Sequence, residues 1–239
     1  MSAFECLLIF SKNDIIRDLV GQGVIVALGH SNAPFETVQN ALDAGASGFT
    51  HLYNAMSPLT SREPGMVGAA LLNNSVCGII VDHHHIHPKA VELAYKVKGP
   101  HQLMLVTDAM AHVGASDDTI AFFDTHITRQ GNKLTTPDGT LAGSCLDMHG
   151  AVTNSINGIN IALEHASTMA SATPARFTKI HDRVGEIEVG KRANFLVINN
   201  DNTLLEVWQN GIKRLCGRGH NTGPTSINNI VIVFCEPFT

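Results

Sequence analysis

Four apolar runs in this chain each finish on a histidine or an aspartate. They are Val24-Ile25-Val26-Ala27-Leu28-Gly29-His30, Gly48-Phe49-Thr50-His51, Cys77-Gly78-Ile79-Ile80-Val81-Asp82 followed by His83, His84 and His85, and Leu103-Met104-Leu105-Val106-Thr107-Asp108. Strands of a parallel α/β barrel present functional side chains at their C-terminal ends, so successive endings of this kind describe one convergent site. Imidazoles beside a carboxylate point to metal-assisted hydrolysis.

The segments between these runs support a parallel sheet. Residues 13–22 carry Ile15, Ile16, Leu19 and Val20 at helical spacing, and Gly23 ends that helix. Ser31 or Asn32 is expected to cap the next helix, with Pro34 in its first turn and Gly45 or Gly48 closing it. Another helix starts at Pro88 and runs to about Lys98, Gly99-Pro100 breaks it, and residues 101–108 form the fourth strand. Strands alternating with helices in this way predict βαβ units. A closed (β/α)8 TIM-like barrel needs eight strands and typically about 250 residues. Four strand-helix units are visible, so the expected α/β architecture is the second half of such a metallo-dependent hydrolase barrel.

Beyond Asp108 the pattern changes. Residues 120–136 read as a two-stranded hairpin turning at Gln130-Gly131-Asn132, residues 148–164 as one apolar-striped helix, and residues 168–177 as another. Short strands at 185–187, 190–191, 193–198 and 204–211 predict a small C-terminal β-sandwich element. The expected division is a partial barrel over 1–180, the β element over 181–215 and a tail over 216–239. In that tail GRGHNTGPTSINN reads as loop, and IVIVFCEPF as an apolar run with no partner in view.

The 239 residues, 44% hydrophobic and 15% charged, describe a globular chain with a substantial core. A formal net charge of -5 supplies no cationic field for nucleic acid or an anionic membrane, so any phosphate recognition is local. Five scattered cysteines without a CxxC spacing disfavour a disulfide framework and a thiolate zinc cluster, and point to a reducing cytoplasm. The apolar stretch from Cys6 to Phe10 is too short to span a bilayer and has Glu5 rather than a basic region before it, so no membrane partner is expected.

With thirteen histidines in the chain, a lone strand-end imidazole is most often an ordinary residue. His30 and His51 gain weight as a pair on successive strands, where neutral imidazoles make good zinc or iron ligands. Asp108 reads either as a general base that moves a proton from water to a leaving nitrogen or oxygen, or as a helix N-cap. In the run His83-His84-His85-Ile86-His87 the side chains alternate in direction, so one of them, His85, is expected to face the pocket and the others solvent. Arg62 reads as a phosphate grip or as half of a solvated pair with Glu63. The glycine-rich turn Asp138-Gly139-Thr140-Leu141-Ala142-Gly143-Ser144 offers backbone N–H groups but lacks the lysine of a P-loop.

Taken together, G-H-S at Gly29, T-H-L-Y-N-A-M at Thr50, R-E-P-G at Arg62, I-I-V-D-x-x-H at Ile79, L-V-T-D-A at Leu105, D-G-T-L-A-G-S at Asp138, the helix with Pro174-Ala175-Arg176, and G-x-I-x-x-G-K-x-A-N-F at Gly185 resemble the N-acetylglucosamine-6-phosphate deacetylases of the amidohydrolase superfamily. The resemblance covers residues 13–215. It implies hydrolysis of the N-acetyl group of N-acetylglucosamine 6-phosphate to glucosamine 6-phosphate and acetate in amino-sugar catabolism. It also implies a divalent metal, zinc or else iron, and a homodimer or larger homo-oligomer. By position it makes His30 and His51 metal ligands and Asp108 the catalytic acid/base. His85 would polarise the acetyl carbonyl, Asn54 and Ala55 would contact substrate, and Arg62 would hold the phosphate. Leu141, Ala142 and Gly143 would line the sugar pocket.

One departure from the family bears on activity. Its members carry an H-x-E-G-P segment whose glutamate binds the metal, and residues 1–12 contain no such motif; Glu5 does not match it. Two protein ligands, where a catalytic zinc keeps three plus water, predict weak metal affinity and little turnover from this chain alone. The competing expectations are an amidohydrolase acting on another acetylated amino sugar or a cyclic amide, and a non-catalytic remnant that serves as a binding or oligomer-forming chain.

Overall fold

A computed structural model describes residues 3–7, 13–214 and 230–233, the first and last of these as backbone only. Five parallel strands stand in sequential order in one sheet: β1 (Ala3–Leu7), β2 (Ile25–Gly29), β3 (Gly48–Phe49), β4 (Val76–Ile79) and β5 (Leu103–Leu105). Between them run α1 (Asn13–Gly21), α2 (Phe35–Asp43), α3 (Gly65–Leu72) and α4 (Pro88–Lys98). The strands are short and β-branched or aliphatic, and β2 and β4 are buried along most of their length, as parallel strands covered by helices must be. Helix α2 turns Val38, Ala41 and Leu42 to the core at helical spacing, whereas α3 is apolar on all sides and buried from Gly65 to Leu71. Close approach explains two glycines: a Cβ on Gly48 would lie 2.5 Å from the Phe177 ring, and one on Gly68 would lie 2.5 Å from Pro64 Cβ.

Several expectations change. The segment from Ala3 to Leu7, read from sequence only as a short apolar stretch, pairs with β2, so the visible parallel strands number five rather than four. Helix α3 was not expected, because its uniform apolarity has no period. Neither Ser31 nor Asn32 caps α2. Pro34 occupies that position, and Ser31 Oγ instead accepts the Ala33 N–H at 3.1 Å.

After β5 the chain forms an antiparallel three-stranded sheet of β6 (Thr119–Phe122), β7 (Thr125–Gln130) and β8 (Lys133–Thr135), one strand more than the expected hairpin. Three helices follow: α5 (Met148–Ile159), α6 (Leu163–Ala170) and α7 (Ala172–Phe177). The single helix expected over 148–164 breaks at Asn160, whose φ of +62° ends α5 in the left-handed region. The second break falls at Ser171, between α6 and α7.

The last sheet comprises β9 (Phe195–Ile198), β10 (Leu204–Gln209), β11 (Ile212–Arg214) and β12 (Ile230–Val233), in the order β11-β10-β9-β12. Residues 185–191 form no strand. The apolar run at Ile230, which has no visible partner in the sequence, pairs antiparallel with β9 through its full length. The other residues of the 216–239 tail lie outside the described residues.

Candidate active site

The exits of β2 and β3 bring two imidazoles together. His30 follows Gly29 directly, with φ at +46°, and His51 stands two residues beyond the end of β3. Their Nε2 atoms lie 2.7 Å apart, with ring centroids at 4.5 Å and planes at 75°. His51 is buried, and its Nδ1 has no hydrogen-bond partner among the described residues.

This pair fits a divalent ion in kind and nearly in spacing. Zinc–imidazole bonds of about 2.0–2.1 Å in a tetrahedral site hold two ligand nitrogens about 3.3 Å apart. The rings therefore need to part by about 0.6 Å for both Nε2 atoms to reach one ion. Among the described residues no cluster of three or more histidine, cysteine, aspartate or glutamate side chains is placed to hold a metal.

Backbone bonds fix the ring positions from both sides. Ser31 N–H donates to the Ala55 carbonyl at 2.9 Å and Ser57 N–H to the Ser31 carbonyl at 3.0 Å, which zips the β2 exit to the turn after β3. On the other side Leu52 N–H donates to the Gly78 carbonyl of β4 at 2.7 Å. Within that turn Asn54 is half-buried and its amide reaches the His51 and Leu52 carbonyls at 3.3 Å. Tyr53 turns away: its hydroxyl donates to the Ala90 carbonyl in α4, and burial, with Cys77 adding to it, raises its pKa. Among the described residues, five of the ten non-glycine residues with positive φ, His30, Tyr53, Ala55, His83 and Asp108, sit just past strands β2 to β5. Such backbone costs of order 1–3 kcal/mol each and collects where a fold serves a site.

Asp108 stands three residues beyond β5, exposed, with φ at +50°. No helix follows it, so it is not an N-cap. Ser144 clamps it: the Ser144 N–H donates to the Asp108 carbonyl at 2.8 Å, its hydroxyl donates to the Thr107 carbonyl, and its own carbonyl accepts from Met110 N–H. Those bonds lay the half-buried Leu141, Ala142 and Gly143 beside Asp108, and Gly143 is so close that a Cβ would lie 3.0 Å from the Asp108 carbonyl oxygen. The strand order puts Asp108 at the same sheet end as the imidazole pair, two strands from the exit of β3, with no hydrogen bond between its carboxylate and either ring.

Arg62 is exposed and makes no ion pair among the described residues. The expected Arg62–Glu63 pair does not form, because Glu63 Oε1 accepts the N–H groups of Phe35 and Gly65, each at 2.9 Å. Those two backbone bonds hold the Glu63 carboxyl below its ordinary pKa. Of the histidine run, His83, His84 and His87 are exposed and His85 is half-buried. His85 Nδ1 meets Asp82 Oδ2 at 2.6 Å, and Asp82 Oδ1 accepts the N–H groups of His84 and His85. Burial pushes the Asp82 carboxyl up, but these hydrogen bonds outweigh it and hold the group down at about 2. Asp82 and Ser144 take roles here that the sequence alone did not assign. The Asp82–His85 spacing of three was the available signal for one; a serine clamp leaves none.

A parallel α/β sheet whose strand ends carry paired imidazoles and a carboxylate is the arrangement of metal-assisted hydrolases. The sequence matches the amidohydrolase family over residues 12–220, and the chain belongs to that family. Membership implies a divalent metal cofactor. Among similar proteins is an N-acetylgalactosamine-6-phosphate deacetylase of Shewanella sp. (strain ANA-3), 49% identical over 81% of this chain and 49% of the relative. An N-acetylglucosamine-6-phosphate deacetylase of Vibrio furnissii is 38% identical over 83% of this chain and 50% of its own length. The crystal structure of N-acetylglucosamine-6-phosphate deacetylase from Pasteurella multocida superposes with a TM-score of 0.85 at 37% identity, over 89% of this chain and 56% of that one. The chain thus spans about half the length of the relatives it matches.

Proposed function

We propose that this chain supplies the second half of a (β/α)8 barrel, over residues 1–180, to a metal-dependent deacetylase of N-acetylglucosamine 6-phosphate, with a small β-sandwich element over residues 181–215. The observation that carries the reading is the approach of His30 and His51 through their Nε2 atoms at 2.7 Å, on a sheet end that also bears Asp108. His30 and His51 would hold the ion, zinc or else iron. When bound, it supplies Lewis acidity that makes water a nucleophile at neutral pH. Asp108 takes a proton from the attacking water and returns it to the departing amine nitrogen, so the products are acetate and the free amino sugar. His85 donates to the acetyl oxygen, and Asn54 and Ala55 position the amide. Arg62, with no carboxylate paired to it among the described residues, grips the 6-phosphate through paired hydrogen bonds. Leu141, Ala142 and Gly143 wall the sugar beside Asp108. The protein works in the cytoplasm as a homo-oligomer.

The galactosamine substrate in the Shewanella relative's name favours a second reading, in which the C4 epimer is the preferred sugar. Acetate release from both N-acetylhexosamine 6-phosphates, measured with zinc or iron present, tests the two together. Asp108→Asn is expected to abolish release with the metal retained, and His30→Ala to lose the metal as well. Equal metal loss in both variants would remove Asp108 from its acid/base role. No release from either sugar by the parent chain would leave the non-catalytic alternative standing.

A further inference from the structure

We propose that Asp82 is a positioning residue for His85: its carboxylate keeps the ring hydrogen on Nδ1 and thereby reserves Nε2 for substrate. The role of Nε2 rests on the deacetylase reading above, whereas the tautomer rests on geometry alone. Asp82 divides its two oxygens between two tasks. Oδ1 accepts the N–H groups of His84 and His85, each at 2.9 Å, which shapes the turn after β4. Oδ2 takes no part in that turn and meets His85 Nδ1 at 2.6 Å. The two side chains are only 7% and 6% exposed, so water cannot substitute for either partner. An ionised carboxylate only accepts hydrogen bonds, so Nδ1 must carry the hydrogen.

The turn is held from behind by α5. Asn154 donates its amide to the Val81 carbonyl at 2.8 Å, and the His83 ring lies against Gly158, where a Cβ would come within 2.6 Å of its Cε1. With Nδ1–H fixed, Nε2 of the neutral ring only accepts; it donates to the acetyl oxygen from the protonated ring, with Asp82 as counter-charge. Orientation of an imidazole by a carboxylate on its far nitrogen is a recurrent device for holding a ring in its working tautomer.

Long-range proton–nitrogen correlation spectra of the chain labelled with 15N-histidine, recorded at rising pH until the ring signals no longer shift, read the tautomer of the neutral ring directly. The His85 signals are assigned by their disappearance in His85→Gln. The parent chain is expected to show the hydrogen on Nδ1. Asp82→Asn keeps an oxygen for the two backbone N–H groups but turns an amide N–H toward Nδ1, so the hydrogen is expected to move to Nε2. A parent spectrum with the hydrogen on Nε2, or an unmoved hydrogen in the variant, overturns the proposal. If the variant does not fold, the parent spectrum alone decides. In the acetate assay the same substitution, which removes the counter-charge that supports the protonated, more strongly donating ring, is expected to lower kcat about 10- to 100-fold with KM within about three-fold. An unchanged kcat with a moved hydrogen would also overturn it. Absence of turnover in the parent chain counts against the deacetylase reading, and the spectra still decide the tautomer.

Discussion

Burial and hydrogen bonding act in opposite directions on Asp82, and hydrogen bonding wins, holding its carboxyl at about 2 against an ordinary 3.8. A carboxyl whose pKa is lower in the folded than in the unfolded chain adds stability above its unfolded value: the contribution is complete above about pH 5 and is lost as pH falls through about 2. Its size is about 2 kcal/mol. Urea midpoints of the parent chain and Asp82→Asn are therefore expected to differ at pH 6 and to converge only below about pH 2. A constant gap would assign the loss to the turn rather than to charge. Lys98 is a second buried charge, 6% exposed, with its ammonium on the carbonyls of Ala70 and Asn73 at the end of α3. Desolvation lowers its pKa and the neighbouring Cys77 opposes that, while burial pushes the Cys77 thiol up to about 11.

The helices of this chain begin and end by different means. Helix α5 starts on Asp147, whose Oδ1 accepts the Gly150 N–H at 2.6 Å, and α4 starts on His87, whose Nδ1 accepts from Lys89. Asp147→Ala is expected to cost about 0.5–2 kcal/mol in urea denaturation, with the spread of the transition unchanged. A smaller loss would mean that packing alone sets the start of α5. Helix α2 has no side chain of its own at its start and receives Glu63 from a distant loop instead, which ties the Arg62 loop to the exit of β2. Such a cap, 28 residues away in sequence, leaves no local signal. The break at Asn160 is equally silent, since the apolar stripe continues through it while the backbone turns left.

Across the whole molecule, two sheets of different kinds are joined by helices: α5, α6 and α7 pack on β5, and α6 also touches β12. Because an ion held by His30 and His51 would bridge the exits of two separate strands, binding it should stabilise the sheet as a unit. Saturating zinc is expected to raise the thermal midpoint by on the order of 5 °C in the parent chain and to do so far less in a His30→Ala, His51→Ala double variant. An equal rise in both would place the ion on the exposed His83, His84 and His87.

The order of the parallel strands from β2 to β5, the helices α1, α2 and α4, and the candidate residues at strand ends were legible from the sequence, because apolar runs stopped by a polar residue state local structure directly. Only tertiary structure decided that Ala3–Leu7 and Ile230–Val233 pair as strands, that Glu63 turns to Phe35 and Gly65 rather than to Arg62, and that His51 faces His30 while Asp82 takes His85. The reason is physical. Strand pairing and side-chain partnership are energies between segments far apart along the chain, and no periodicity within either segment encodes which distant group will satisfy it.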